Sequence, residues 1–508
     1  MISVLFKNEQ DSLAVVDEMP AFFPDLNLDQ VIDWVIVKKR NYQLKPYFYS
    51  PLQDVDAIVY RQEVFRDLED ETLRLGIQRF SDQMILLRGY LSVAENSEYR
   101  YHRMGWHLEA ALAYCEAVNG LVKSLSEAGL ESRGLNRCLR HFTDIIHSGG
   151  FQQFAQSARD LKSKLSAVEY NIIIRKNWVR VRKINSKKDY SQEVKRFFSK
   201  FKEEDVNNYQ VDLVIPTGIN LIEAKILDLV TNLYTETFDY LSRFCQNYEH
   251  FLDETVCHFD REIQFYFAYL GFMERIRQTG LAFCTPQLHS NDKAIHAQGS
   301  FDIALAERHR SERLPIVCND FFLAGSERIF VVSGPNQGGK TTFARMFGQL
   351  HYLACLGCPV PGREASLFVF DNIFTHFERE EDIHQLWGKL MDDVVRIHQI
   401  LEQSTGKSII ILNEIFTSTA IKDAVLLGEK VLNKIIELDA LGVCVTYIDE
   451  LSTLGEKTVS MVGTVDQDNP AMRTYKIRRQ QADGRAHAVH IARLHHLTYD
   501  LIKERIRS

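Results

Sequence analysis

Nine residues, GPNQGGKTT at 334–342, constrain this chain more than any others. They stand between the apolar run IFVVS (329–333) and the helix-compatible stretch FARMFGQLHYLACLG (343–357). A buried strand, a glycine turn and a helix in that order form a phosphate-binding loop. Gly334 and Gly339 allow backbone N–H groups to close around phosphates at a helix N-terminus, where the helix dipole favours anions. Lys340 is expected to reach the β- and γ-phosphates, and the Thr341 hydroxyl to ligate Mg²⁺. The expected nucleotide contacts are therefore Gly334, Pro335, Asn336, Gln337, Gly338, Gly339, Lys340, Thr341 and Thr342.

Two further apolar runs follow. SIIIL (408–412) ends in Asn413 and Glu414, where such a domain needs one group in the Mg²⁺ shell and one to polarise the attacking water. Glu414 suits the base. Asn413 offers an amide that reaches the ion through a water and brings no charge, so weak Mg²⁺ affinity or slow hydrolysis is expected. GVCVT (442–446) leads into Tyr447, at the place of a γ-phosphate sensor. That phenol donates one hydrogen bond and does not titrate near neutral pH.

The chain upstream reads differently. Between Pro51 and Pro216 there is no proline, and Leu221 to Leu270 has neither glycine nor proline, with apolar residues at three- and four-residue steps. That spacing predicts about 45 helical residues, about 70 Å of lever. A similar pattern marks Leu108, Leu112, Cys115, Val118, Leu121 and Leu125. Between these stretches, Val179 and Val181 alternate with Arg180 and Arg182, the pattern of a strand in a small sheet. The net charge of the chain is -8, yet Lys162 to Lys202 holds thirteen cations against three carboxylates. Arg175, Lys176, Arg180, Arg182, Lys183, Lys187, Lys188, Lys195 and Arg196, interleaved with aromatic residues, form the candidate nucleic-acid surface.

A composition with 45% hydrophobic and 25% charged residues excludes disordered and collagen-like chains. No apolar run reaches the ~20 residues that cross a bilayer, and an acidic residue interrupts the start, so a cytoplasmic protein without membrane contact is expected. The nine cysteines read as reduced thiols. Cys355 and Cys358 have no second pair at zinc spacing and are expected in the core. His487, His490, His495 and His496 lack a carboxylate at metal spacing and are not assigned to a metal.

The loop GPNQGGKTT, with LACLGCPVP (353–361), DNIFTHFEREED (371–382) and LNEIFTSTAIKDA (412–424), resembles the ATPase domain of the MutS family; DAIVYRQEVFRDL (56–68) is more weakly similar to the start of its lever domain. The resemblance implies an α/β P-loop ATPase domain preceded by a mostly α-helical lever domain with a small inserted β-containing clamp. It divides the chain into an N-terminal segment (1–51), a first lever half (52–160), a basic clamp insertion (161–210), a second lever half (211–288) and the ATPase domain (289–508). It implies ATP and Mg²⁺ as cofactors, a homodimer through the ATPase domain, and branched or mismatched double-stranded DNA as partner. ATP binding and slow hydrolysis would then switch a DNA clamp in repair or recombination. The alternatives are a non-hydrolysing, nucleotide-gated binding module, or a MutS-like factor acting on ribosomes or RNA.

This chain departs from the family pattern in several places. About 50 residues precede the lever, too few for the family's mismatch-reading and connector domains. Gly388 stands where the family inserts a Ser into the partner's site, Asn413 replaces an Asp, Tyr447 a His, and Ile316 an adenine-stacking aromatic.

Overall fold

The computed structural model describes residues 2–8, 15–175, 178–184, 218–378, 388–466, 472–482 and 503. They divide into two compact units, one comprising residues 68–130 and 135–260, the other 1–67, 131–134 and 261–508.

The first of these units is almost wholly helical. Helices Glu71–Asn96 and Arg100–Glu127 pack along one another, joined by three residues. Their approach is so close that a Cβ on Gly76 would lie 2.5 Å from Ser124 Cβ. Of the six residues marked by the periodicity, Leu108, Cys115, Val118, Leu121 and Leu125 are buried and Leu112 is half-buried. The expected 45-residue lever helix is instead three helices, Leu221–Leu233, Thr235–Asn247 and Glu254–Arg277, the last of which belongs to the other unit from residue 261 onward. Neither break uses glycine or proline. At the first, Tyr234 leaves the helical region (φ -126°, ψ 44°). At the second, the Asp253 carboxylate accepts from the N–H groups of Thr255 (2.8 Å) and Val256 (3.1 Å). That side chain offers the backbone a local alternative to continuing the upstream helix and starts a new one. The expected small sheet is an antiparallel hairpin of β1 (Tyr170–Arg175) and β2 (Trp178–Lys183).

The other unit contains an α/β domain with twelve described strands: β3 (Phe283–Cys284), β4 (Gln287–His289), β5 (Ile295–Ser300), β6 (Asn319–Leu323), β7 (Ile329–Ser333), β8 (Val360–Pro361), β9 (Glu364–Phe368), β10 (Ile373–His376), β11 (Ile409–Asn413), β12 (Leu441–Val445), β13 (Thr458–Val465) and β14 (Arg473–Arg479). The main sheet has the order β10-β11-β12-β7-β13-β14, parallel throughout except for the antiparallel edge strand β14. β7, β11 and β12 are buried at every position, which is why they read as unbroken apolar runs.

Helix Lys340–Cys355 lies deep in this unit, with thirteen of its residues buried. Phe343 and Phe347 on the helix meet Phe330 of β7 and Phe321 of β6 edge-on or tilted. The N-terminal residues pack in the same unit. Gln349 Nε2 donates to Leu26 O, Tyr352 Oη to Phe48 O and Arg345 Nε to Asp25 O. Arg61, fully buried, donates to the carbonyls of Leu5 and Leu356. Cys355 and Cys358 are buried free thiols, and burial pushes Cys355 up to about 12. Among the described residues, no helix is long and apolar enough to cross a membrane.

His351 on the same helix is fully buried, and its Nδ1–H donates to Phe347 O. Burial holds its imidazole down at about 4, from an ordinary value of 6.5. The unfolded chain takes up this proton as pH falls through 6.5, whereas the folded chain does not until about 4. Its contribution is therefore complete above 6.5 and is lost progressively below it, by up to about 3 kcal/mol. His351→Gln should flatten the fall in urea midpoint between pH 6.5 and 4; an unchanged difference from the parent chain across that window would contradict this.

Candidate functional site

β11, β12 and β7 are adjacent, parallel and end together. The Glu414 N–H donates to Val445 O (2.9 Å) and the Thr446 N–H to Val332 O (3.0 Å), so the turns after all three strands share one carboxyl edge. An α/β sheet leaves its ligand crevice at that edge.

The loop after β7 has a backbone that side chains would obstruct. Gly334 has φ +119°, and a Cβ there would lie 2.9 Å from Gly463 N. A Cβ on Gly338 would lie 2.8 Å from Pro335 O. Gly339, at φ +90°, begins helix Lys340–Cys355 with no side chain capping its first turn. The N–H groups of that turn are left for a ligand to satisfy. Arg473 of β14 braces the loop from outside, its Nε donating to Asn336 O (3.2 Å).

Lys340, Thr341 and Tyr447 each donate hydrogen bonds at this edge. Lys340 Nζ donates to the carbonyls of Gly334 (3.0 Å) and Pro335 (3.1 Å). Burial lowers its pKa from the ordinary lysine value, and the nearby Glu414 carboxylate opposes that shift. Thr341 Oγ1 donates to Asn413 Oδ1 (2.9 Å). Tyr447 Oη donates to Glu414 Oε1 (2.6 Å), while the Tyr447 ring lies 4.4 Å from Lys340 Nζ. The phenol is pushed upward first by burial and then by its bond to Glu414. Glu414 adopts φ +56° and Phe416 φ +60°, a left-handed backbone that non-glycine residues rarely take. Such strain persists where surrounding structure holds it in place.

Beside the loop is a cavity of about 540 Å³, lined by Gln337 to Thr342, Glu414, His309, Ile316, Asn319 and Tyr475, among others. Ile316 thus stands at its wall. Asn319, also in the lining, donates to Tyr475 O and accepts from the Ile477 N–H. Arg473, Asn319 and Tyr475 carry no sequence mark: two of them sit on β14, and Asn319 meets that strand through its side-chain amide rather than through a motif. Thr341 and Asn413 present a hydroxyl and an amide oxygen, donors that suit a hard cation retaining most of its water. Among the described residues, no group of three or more His, Cys, Asp or Glu could hold a metal ion.

The basic surface is only partly described. Arg175, Arg180 and Arg182 share one face of the β1–β2 hairpin with Asn171, Ile173 and Trp178, as the pairs Arg175↔Trp178, Ile173↔Arg180 and Asn171↔Arg182 require. The guanidinium groups of Arg180 and Arg175 lie 5.1 and 5.9 Å from the Trp178 ring. Lys183 is on the opposite face, with its ammonium over Tyr234. Lys176, Lys187, Lys188, Lys195 and Arg196, and the four C-terminal histidines, lie outside the described residues.

Residues 330–507 match the family model of MutS domain V. The chain is 28% identical over 233 residues to the DNA mismatch repair protein MutS of Brevibacillus brevis, which covers 44% of this chain and 26% of that protein. It is 30% identical over 169 residues to the protein of the same name from Thermotoga petrophila, covering 33% and 21%. A third, from Chloroflexus aurantiacus, is 28% identical over 229 residues, covering 44% and 23%. The chain thus spans about a quarter of the length of the curated relatives it matches.

The loop geometry makes a stability test direct. Gly334→Ala should destabilise the chain by about 2 kcal/mol, through a disfavoured φ and a backbone clash. Gly455→Ala, where a Cβ meets nothing within 4 Å, should not. Equal urea midpoints for the two variants would contradict the assignment of strain to Gly334.

Proposed function

Because the chain belongs to the MutS family, we propose that residues 334–342 act as a P-loop binding ATP, and that ATP binding and slow hydrolysis switch a nucleic-acid clamp. The observation that carries this reading is the meeting of the glycine loop, the Thr341–Asn413 pair and Glu414 at one carboxyl edge. The loop N–H groups would take the phosphate oxygens, with Lys340 exchanging its two loop carbonyls for the β- and γ-phosphates. Thr341, with Asn413 through a water, would hold Mg²⁺, which supplies charge neutralisation to the phosphate oxygens. Glu414 is the base for water. Two features favour slow turnover: Asn413 brings no charge to the ion's shell, and Tyr447 already occupies one Glu414 oxygen.

The hairpin supports the nucleic-acid half of the proposal. Three guanidinium groups and Trp178 on one face match phosphates and bases respectively. Branched or mismatched double-stranded DNA is the proposed partner, with a homodimer through the ATPase domain and a cytoplasmic location. Nucleotide can drive the switch only through unequal affinity for two arrangements of the clamp.

Glu414→Gln should abolish steady-state ATP turnover while leaving nucleotide affinity within about threefold; unchanged turnover would remove Glu414 as the base. For the partner, the test is a binding panel of mismatched, branched and single-stranded DNA and structured RNA, with and without ATP. Replacing Arg175, Arg180 and Arg182 by Ala should weaken duplex binding and lower the slope of log affinity against log salt by ~0.9 for each phosphate that is no longer neutralised. A slope that does not move would rule out this face, and preference for RNA would redirect the reading.

A further inference from the structure

Tyr447 makes one side chain serve two others. It follows β12, on the turn where the Ile448 N–H donates to Thr446 Oγ1 (3.0 Å). From there its ring lies against the Lys340 ammonium and its hydroxyl donates to Glu414 Oε1. In P-loop chemistry these are the two residues that flank a γ-phosphoryl group, the lysine on its oxygens and the carboxylate on the water behind it. A nucleoside triphosphate differs from a diphosphate by that group alone. The phenol therefore joins the two side chains between which the distinguishing phosphate would be held.

We propose that Tyr447 is a specificity-determining and positioning residue that makes the site prefer nucleoside diphosphate over triphosphate, and that a triphosphate is accommodated only when the phenol swings out. The inference rests on the nucleotide-binding reading above and adds a direction of preference to it. A diphosphate needs Lys340 to leave the carbonyls of Gly334 and Pro335 but leaves the Tyr447 ring and hydroxyl in place. A triphosphate must also break the hydrogen bond from Tyr447 to the Glu414 carboxylate. The swing is open to the side chain because Tyr447 is 49% exposed, with solvent on one side rather than packed core. The same movement that admits the γ-phosphate releases Glu414, so the base is freed when its substrate is present. No histidine of ordinary pKa is needed for this, because the phenol acts through position and a neutral O–H.

The test uses the full chain with Mg²⁺, a fluorescently labelled ADP and a labelled, slowly hydrolysed ATP analogue, with affinities read by anisotropy and turnover measured on ATP. The parent chain should bind the diphosphate about tenfold more tightly, as the loss of one charge-assisted hydrogen bond implies. Tyr447→Ala should raise affinity for the triphosphate analogue about tenfold and change that for ADP less than about threefold. Tyr447→Phe lacks the hydrogen bond that a triphosphate has to break, so KM for ATP should fall with kcat little changed. Equal affinities in the parent chain, or equal changes for both nucleotides in Tyr447→Ala, would overturn this proposal alone. Binding of neither nucleotide to the parent chain would overturn the underlying nucleotide reading and this one with it.

Discussion

Everything at the candidate site depends on the burial of helix Lys340–Cys355. A helix enclosed on nearly every side leaves no solvent to satisfy its polar side chains, so each must find a protein partner or cost free energy. Gln349 is the clearest case. Its Nε2 donates to Leu26 O and Asp302 Oδ1, and its Oε1 accepts from the Ile303 N–H. Tyr352 and Arg345 reach the carbonyls of Phe48 and Asp25. The N-terminal residues thus secure the helix that carries the glycine loop at its start, and the loop inherits a fixed base.

That fixed base is what allows strain at the edge of the sheet. Glu414 and Phe416 hold left-handed backbone angles just after β11, and Gly334 holds φ +119° against Gly463 just after β7. None would survive in a loop free to relax. The turns are pinned instead by backbone bonds to the neighbouring strand, Glu414 N–H to Val445 O and Thr446 N–H to Val332 O. Lys340 adds a second cost, since burial disfavours its charge, and the carbonyls of Gly334 and Pro335 offset it. A site held this way has its donors oriented in advance, which is the condition for electrostatic work on a developing charge.

Much of this was legible in the residues, for physical reasons that also mark where legibility stops. IFVVS, SIIIL and GVCVT coincide within a residue with β7, β11 and β12, because strands covered on both faces must be apolar at every position. The glycine loop was readable because its backbone angles admit little else at Gly334. The helix breaks at Tyr234 and at 248–253 were not. They arise from a local cap at Asp253 and a residue outside helical angles, signals weaker than the glycine or proline whose lack suggested continuity. Nor could the pairing of Tyr447 with Glu414 be read, since 33 residues separate them and only the strand order β11-β12-β7 brings their turns together.

The hairpin shows how a charge average conceals a surface. A chain of net charge -8 would repel a polyanion if its charge were spread evenly. Strand alternation prevents that here, sending Arg175, Arg180 and Arg182 to one face while Ile172, Ile174, Val179 and Val181 take the other. A two-stranded hairpin is marginal by itself, so it needs support. Helix Leu221–Leu233 packs against β2, Tyr234 Oη donates to Glu169 O at the hairpin's base, and Lys183 lies over the Tyr234 ring. The support engages one face and leaves Arg175, Arg180 and Arg182 exposed on the other. A phosphate backbone approaching this unit would therefore meet a concentrated cationic face rather than the acidic average, and alternation, more than composition, makes that face.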